Sequence, residues 1–225
     1  MINPLYKIKN WKLICLNDLL EEEEKQVDLS IFDKFIEKYW NRILEKQPLW
    51  FYEIDKIYFL YPYSLGYRYP KTNIVKYFQI AKTWSEKYCK LIFDFIKDKV
   101  LDFAKRYDAV VFVPWSVDRK CNVLDYLKEY LEKNWLKIIP SFRVKEWNEI
   151  KNIRILKEKF RVANEKFEIW DIFDNITKIL IIDDMVNTGA SMCAIANKLK
   201  KKYKNLKIDW LAIVGSLTEE MISDI

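Results

Sequence analysis

Apolar residues in the second half of the chain fall into short continuous runs, and segments with helical spacing separate these runs. The runs are Asp108–Pro114, Leu136–Pro140, Lys178–Asp183 and Ile208–Leu217. Runs of this length with no alternating polar position are typical of strands buried on both faces of a sheet. The segments that begin near Val123 and Ala190 predict helices between them. Strand, helix and strand in this order predict a parallel α/β sheet with right-handed crossovers.

The first half of the chain predicts helices around an aromatic segment. Apolar residues recur at helical intervals in Ile31–Lys46, and again from about Thr72 to Phe103. Between them, Leu49–Tyr69 is rich in Trp, Tyr, Phe and Ile, and a turn with Pro and Gly interrupts it, so we predict two short strands. We therefore expect a helical and hairpin region over residues 1–105 and an α/β core over residues 106–225, packed as one compact unit.

Composition excludes several kinds of site. The 225 residues contain no histidine, so histidine-liganded metals and Ser-His-Asp triads are impossible. The four cysteines form no C-x-x-C pair, which argues against a zinc ribbon and favours free, buried thiols. None of the three glycines precedes a lysine, so there is no P-loop, and G-x-G-x-x-G is also absent. No uncharged stretch matches a membrane span and no signal-peptide core is present, so we expect a soluble, cytoplasmic protein without membrane partners.

The charge balance is mildly basic. The net charge of +6 comes from 39 Lys and Arg residues against 33 Asp and Glu residues. The densest basic run, Lys198–Lys207, is interpreted as the solvated end of a helix, where cations also suit the helix dipole. A nucleic-acid interface there is the less favoured interpretation.

The segment richest in chemistry follows the third apolar run. Asp183 and Asp184 stand where the predicted strand leaves the core, and the five small residues Asn187–Ser191 lead into a helix. Backbone N–H groups at a helix start, together with nearby hydroxyls, form a nest for a phosphate, and Gly189 permits close approach. Two adjacent carboxylates can accept hydrogen bonds from a vicinal diol or lie near a hydrated magnesium ion. Adjacent binding sites for a phosphate and a diol match the two groups of a ribose 5-phosphate.

This segment resembles the signature of type I phosphoribosyltransferases, which has four apolar residues, two acidic ones, four variable ones and then small hydroxyl residues around a glycine. The matching positions are Ile179–Ile182, Asp183, Asp184, Thr188, Gly189, Ala190 and Ser191. The alternatives are a Walker B strand, a phosphoacceptor aspartate site, or plain capping between a strand and a helix. A Walker B strand needs a P-loop, which the chain does not have.

The wider order of elements, over about residues 50–217, is similar to the competence-protein-F (ComF-type) branch of that family. Members of the branch often carry an N-terminal four-cysteine zinc module. This chain has none, and its residues 1–48 are predicted to be helical. The resemblance implies a Rossmann-like parallel sheet of the type I phosphoribosyltransferase kind, with the aromatic segment Tyr58–Tyr69 as a hood over the site.

The resemblance also implies a reaction. The substrate would be 5-phosphoribosyl pyrophosphate with Mg²⁺, and phosphoribosyl would pass to an unidentified acceptor, expected to be a nucleobase, with release of pyrophosphate. Asn187–Ser191 would bind the 5-phosphate, and Asp183 and Asp184 would hold the ribose hydroxyls. No residue would ligate the metal directly. Mg²⁺ would bind through the pyrophosphate, with Asp183 contacting it through water.

Cations are needed where pyrophosphate leaves. Arg119 and Lys120 follow the first apolar run and can supply this charge, although an ordinary solvated loop is an equal alternative. The charged, irregular segment of residues 143–166 is expected to be a mobile cover that closes over the ligand. Its candidate basic residues are Arg143, Lys145, Lys157 and Lys159.

The residue before the Thr-Gly pair, Asn187, narrows the range of possible acceptor bases. Family members that act on 6-oxopurines resemble one another in a carboxylate just before the Thr-Gly pair, where this chain has Asn187. An amide cannot take a proton at neutral pH, which argues against hypoxanthine or guanine. The alternative function is a non-catalytic protein that binds phosphoribosyl pyrophosphate or a nucleotide for sensing or DNA handling, and a homodimer is left open.

Overall fold

The computed structural model describes residues 7–9, 12–14, 43–46, 54–64, 75–78, 86–115, 121–144, 153, 155–170, 175–186 and 189–215. The strands are β1 (Lys7–Lys9), β2 (Lys12–Ile14), β3 (Leu44–Lys46), β4 (Lys56–Pro62), β5 (Ala109–Phe112), β6 (Ile138–Ile139), β7 (Ser141–Arg143), β8 (Phe167–Ile169), β9 (Lys178–Met185) and β10 (Lys207–Gly215). The helices are α1 (Glu86–Ala104), α2 (Val123–Lys133), α3 (Leu156–Lys166) and α4 (Ala190–Lys202), and residues 75–78 are also helical.

A six-stranded, mostly parallel sheet forms the centre of the fold, in the order β3-β4-β10-β9-β5-β6. Only the edge strand β3 runs antiparallel to its neighbour β4, and the other pairs are parallel. The four apolar runs identified in the sequence correspond to β5, β6, β9 and β10, so their prediction as strands of a parallel sheet is confirmed. Two smaller antiparallel pairs, β1 with β2 and β7 with β8, complete the described strands.

Helices cover both faces of this sheet. Leu180 and Ile182 of β9 pack with residues of α1 and α2, whereas Ile179 and Ile181 pack with residues of α4 and α3. This alternation follows from the two-residue period of a strand, which sends neighbouring side chains to opposite faces. The protein is therefore a three-layer α/β structure, as the sequence predicted. No helix in the described part of the chain is long and apolar enough to cross a membrane.

The first half of the chain departs from its predicted helices. Lys7–Lys9 and Lys12–Ile14 form an antiparallel strand pair, and Leu44–Lys46 forms a strand against β4, so the helix predictions are wrong for these residues. Helical spacing does not reveal an edge strand of three residues, because such a strand is stabilised by hydrogen bonds to its neighbour. The predicted helix after about Thr72 is confirmed for residues 75–78 and for α1.

The predicted aromatic hairpin corresponds in part to β4. This strand pairs antiparallel with β3 on one side and parallel with β10 on the other. Phe59 and Tyr61 are buried in the core, so these aromatic residues serve packing. The second predicted strand, beyond Ser64, lies outside the described residues, and its role as a hood stays a prediction. The proposed boundary between residues 105 and 106 also stays a prediction, although β4 and α1 precede it and pack with elements that follow it.

The prediction that residues 143–166 are irregular is wrong for the residues that form α3. The helix buries only a short apolar stripe that includes Val162 and Ala163, and it packs against α4. Arg161 forms ion pairs with Glu158 and Glu165 on its exposed side. Because most positions are charged and the buried stripe is short, the helical period is weak in the sequence.

Candidate functional site

The chain reverses its winding direction between β5 and β9, which are neighbours in the sheet. From β5 the chain passes through α2 to β6, towards one edge, and from β9 it passes through α4 to β10, towards the other. The two helices lie on opposite faces, so the two parallel crossovers have the same hand. In open parallel sheets, ligands bind beyond the carboxyl ends of the strands at such a switch point. The ends of β5 and β9 are therefore where a functional site is expected.

The predicted carboxylate pair lies at this point. Asp183 and Asp184 lie near the carboxyl end of β9, just before its last residue, Met185. Both are half-buried, whereas the four residues before them are fully buried. The backbone N–H of Asp184 donates a hydrogen bond of 2.8 Å to Oδ1 of Asp183. This bond orients the Asp183 carboxylate at the strand end, so the pair is presented in a defined geometry.

Helix α4 begins close behind the pair. Its N-cap is Gly189, whose φ of 73° lies in the left-handed region that residues with a Cβ avoid. The Gly189 carbonyl accepts the N–H of Cys193 at 2.9 Å, which starts the helical ladder. The first N–H groups of a helix have no acceptor within the helix, and they carry the positive end of its dipole. Ala190 is buried and Ser191 is half-buried there, while Asn187 and Thr188 lie outside the described residues.

Arg143, the last residue of β7, lies near the carboxyl ends of β5 and β9. Its Nε and Nη2 atoms donate hydrogen bonds of 2.9 and 2.6 Å to the carbonyl oxygen of Pro114, which follows β5. Its guanidinium also lies 5.1 Å from the ring centroid of Phe167. Burial lowers the pKa of Arg143 to about 10, and the nearby Asp183 carboxylate opposes that shift. Arg143 therefore carries a positive charge at neutral pH and is held beside the carboxylate pair.

Lys166 is a second cation near Arg143, and it is not among the site residues predicted from the sequence. It is 1% exposed at the end of α3, and its backbone carbonyl accepts a hydrogen bond of 2.7 Å from the N–H of Val144. Burial, and to a lesser extent the positive charge of Arg143, together lower the pKa of Lys166 to about 8. The pairing of Arg143 with Phe167 across β7 and β8 explains why the two cations are neighbours.

One sequence signal could have found Lys166. It follows Val162 by four residues and Ala163 by three, which places it on the buried stripe of α3. A lysine on the apolar stripe of a helix is unusual, because its charge must leave water. That signal exists only if α3 is a helix, and its residues are predicted to be irregular from the sequence.

The remaining predicted cations are not brought to this edge by the described structure. Lys157 is exposed and Lys159 is half-buried, and both lie at the start of α3. The helix rises about 1.5 Å per residue, so they are roughly 10–14 Å along its axis from Lys166. Arg119, Lys120 and Lys145 lie outside the described residues, and their roles stay predictions.

The described residues contain no group of three or more cysteine or carboxylate side chains able to enclose a metal ion. They do contain the two carboxylates of Asp183 and Asp184, which accept hydrogen bonds, and near them the N-terminus of α4. Two buried cations, Arg143 and Lys166, complete the arrangement. Carboxylates suit hydroxyl groups, whereas a helix N-terminus and cations suit phosphates. The arrangement can therefore recognise a ligand that carries both.

No protein-family model and no curated protein matches the sequence. Among solved structures, the chain is similar to the xanthine-guanine-hypoxanthine phosphoribosyltransferase of Helicobacter pylori, with 14% identity, a TM-score of 0.35, and coverage of 60% of this chain and 86% of that one. It is also similar to the adenine phosphoribosyltransferase of Leishmania donovani, with 12% identity, a TM-score of 0.31, and coverage of 71% and 78%. With identities and TM-scores this low, neither structure assigns an activity to this chain, and its α/β architecture rests on its own strand order.

Proposed function

We propose that this chain is a phosphoribosyltransferase that binds 5-phosphoribosyl pyrophosphate and transfers the phosphoribosyl group to a nucleobase-like acceptor. The observation that carries the proposal is the pair Asp183–Asp184 at the switch point of the sheet, directly before the glycine-capped start of α4. The similarity to the competence-protein-F branch is narrower than this proposal, and it stays a prediction.

The ribose would be held by the carboxylate pair. Ionised carboxylates accept short, strong hydrogen bonds from hydroxyl groups, and two adjacent carboxylates match the two hydroxyls of a vicinal diol. The N–H of Asp184 already orients the Asp183 carboxylate, at 2.8 Å. Less side-chain freedom is then lost when the sugar binds.

The 5-phosphate would bind at the start of α4, within Asn187–Ser191. Gly189 has a positive φ and no side chain to block the approach of a phosphate. The first N–H groups of a helix have no acceptor within the helix and would favour the negative charge of such a ligand. Ribose and phosphate would therefore be bound by adjacent segments of one chain.

The leaving pyrophosphate would be stabilised by the two buried cations, Arg143 of β7 and Lys166. In the transfer, the bond from C1 of the ribose to the pyrophosphate oxygen breaks and the oxygen keeps the electron pair. A nitrogen of the acceptor then forms its bond to C1. Arg143 lies close enough to Asp183 for their charges to interact, and Lys166 is its neighbour. Charges fixed before the reaction stabilise the developing negative charge without reorganisation, and the predicted Arg119 and Lys120 would add to them.

The Asp183 and Asp184 carboxylates fit a magnesium ion that would also be bound by the pyrophosphate of the substrate. Two carboxylates are hard oxygen ligands, and Mg²⁺ commonly keeps several waters while it binds one or two carboxylates and substrate phosphates. With no larger cluster in the described residues, Asp183 and Asp184 would hold the ion through water. When bound, it would neutralise charge on the pyrophosphate.

The proposal is tested by isothermal titration with 5-phosphoribosyl pyrophosphate, with and without Mg²⁺. We expect wild-type protein to bind, and the double variant Asp183→Asn with Asp184→Asn to lose binding. Each charge-assisted hydrogen bond lost costs about 1.5–3 kcal/mol, which is about tenfold in affinity or more. Asparagine can still accept the N–H of residue 184, so the strand end should remain folded.

A matched control removes the same charge elsewhere. Asp94→Asn with Asp102→Asn changes two carboxylates on the exposed side of α1 and should bind as the wild type does. Unchanged affinity in the Asp183 and Asp184 variant would contradict the proposal. A screen of nucleobases for pyrophosphate release then tests transfer. Binding with no release by any acceptor would contradict transferase activity and support the non-catalytic alternative.

A further inference from the structure

Two cysteines far apart in the sequence meet inside the protein. The Sγ atoms of Cys89 and Cys121 lie 2.8 Å apart, and the residues are 1% and 8% exposed. Cys89 lies in the first turn of α1, and Cys121 immediately precedes Asn122, whose side chain caps α2. Because α1 and α2 pack against each other, the thiols are held together by the helix layer.

Tyr126 lies close to both thiols of the pair. Burial and the adjacent Glu86 raise the pKa of Tyr126, and Cys121 and Cys89 contribute to the same shift. The Tyr126 hydroxyl donates a hydrogen bond of 3.3 Å to Glu86, and Tyr126 as a residue is half-buried. Tyr126 therefore lies beside both thiols, of which Cys121 is the more exposed.

We propose that Cys89 and Cys121 form a reversible intramolecular disulfide when the folded protein meets a hydroperoxide. The sulfurs need only close from 2.8 Å to about 2.05 Å, the length of a disulfide bond. The third described cysteine, Cys193, packs on the opposite face of the sheet and cannot reach the pair without unfolding. The proposal does not depend on the function of the carboxylate site.

The chemistry takes two steps. The Cys121 thiol, the more exposed of the two, attacks one oxygen of the peroxide, and the O–O bond breaks to give a sulfenic acid and one water. The Cys89 sulfur then attacks the sulfenic sulfur, the disulfide forms and a second water leaves. The two thiols lose two hydrogens and two electrons in total, and one hydrogen peroxide molecule is reduced to two waters. A dithiol such as dithiothreitol reverses the change.

The disulfide would close a loop that contains part of the switch point. The residues between the two cysteines include β5 and Pro114, which accepts the hydrogen bonds of Arg143. They also include Arg119 and Lys120, directly before Cys121. Linking the ends of this loop restricts the unfolded chain and stabilises the helix layer.

The test is a peptide map of the full-length, folded protein after treatment with hydrogen peroxide. Remaining thiols are alkylated, and the protein is digested with trypsin without reduction. We expect a linked pair made of residues 88–90 and residues 121–128, two hydrogens lighter than the free peptides and absent after dithiothreitol. Cys89→Ser and Cys121→Ser should each abolish the pair, whereas Cys193→Ser, the matched control, should retain it.

Thermal unfolding supplies a second measurement on the wild type, which needs no variant to fold. The oxidised protein should melt roughly 5–15 °C above the reduced protein, because the link constrains a long loop. The proposal is overturned if peroxide leaves both thiols free, or if Cys15 or Cys193 takes part in the main link. It is also overturned if the link forms only in urea, or if the linked protein melts no higher.

Discussion

Replacing Arg143 with methionine tests whether this residue only binds ligand or also stabilises the folded protein. As a cation on a mobile cover, it would affect ligand binding and leave the stability of the free protein unchanged. In the structure it instead ties β7 to the end of β5, through two hydrogen bonds to the carbonyl oxygen of Pro114. The variant should therefore unfold more easily even without ligand.

The magnitude follows from the contacts that the variant loses. Hydrogen bonds to a charged group contribute about 1.5–3 kcal/mol, and the two donors of Arg143 share one acceptor. A guanidinium 5.1 Å from the Phe167 ring adds roughly 0.5–2 kcal/mol. Removing the guanidinium from water offsets part of this gain, which is why burial lowers its pKa. We expect a net loss of about 1–3 kcal/mol in the free energy of unfolding.

Urea unfolding followed by tryptophan fluorescence measures this loss, with circular dichroism as a check on the folded state. Arg161→Met is the matched control, because Arg161 forms ion pairs with both Glu158 and Glu165 on the exposed face of α3. Exposed ion pairs contribute little, so this control should change stability hardly at all. Equal losses in the two variants, or a fully stable Arg143→Met protein, would refute the reasoning.

Two further predictions test the core and the buried cation. Gly215→Ala should destabilise the protein by about 1–3 kcal/mol in urea unfolding, because its Cβ would lie 2.8 Å from Cγ and 2.9 Å from Cβ of the buried Phe59. An alanine variant as stable as the wild type would show that β4 can move. Between about pH 8 and 10.5, the wild type should gain stability relative to Lys166→Met, because folded Lys166 releases its proton at a lower pH than the unfolded chain does. A stability difference that stays constant over that range would contradict the lowered pKa.

Local patterns in the sequence were sufficient for the central elements of this fold. Four apolar residues followed by Asp183 and Asp184 identify β9 and its end, and the small residues up to Ser191 identify the start of α4. Such features could be predicted because burial on both faces and a glycine cap each act on residues adjacent in the chain. The position of Asp183 and Asp184 near the end of a buried strand could therefore be predicted from the sequence, and their role as ligand-binding residues stays a prediction.

The partners of that pair were decided by tertiary structure. Arg143 and Lys166 are 23 positions apart in the numbering, and they become neighbours only because β7 pairs with β8. From the sequence alone, Arg143 is predicted to lie on a mobile cover and Lys166 is not predicted as a site residue, because neither α3 nor this strand pairing has a clear local pattern. Cys89 and Cys121 likewise meet because α1 packs on α2. Sheet register and helix packing set distances between residues remote in sequence, and hydrophobic periodicity does not encode those distances.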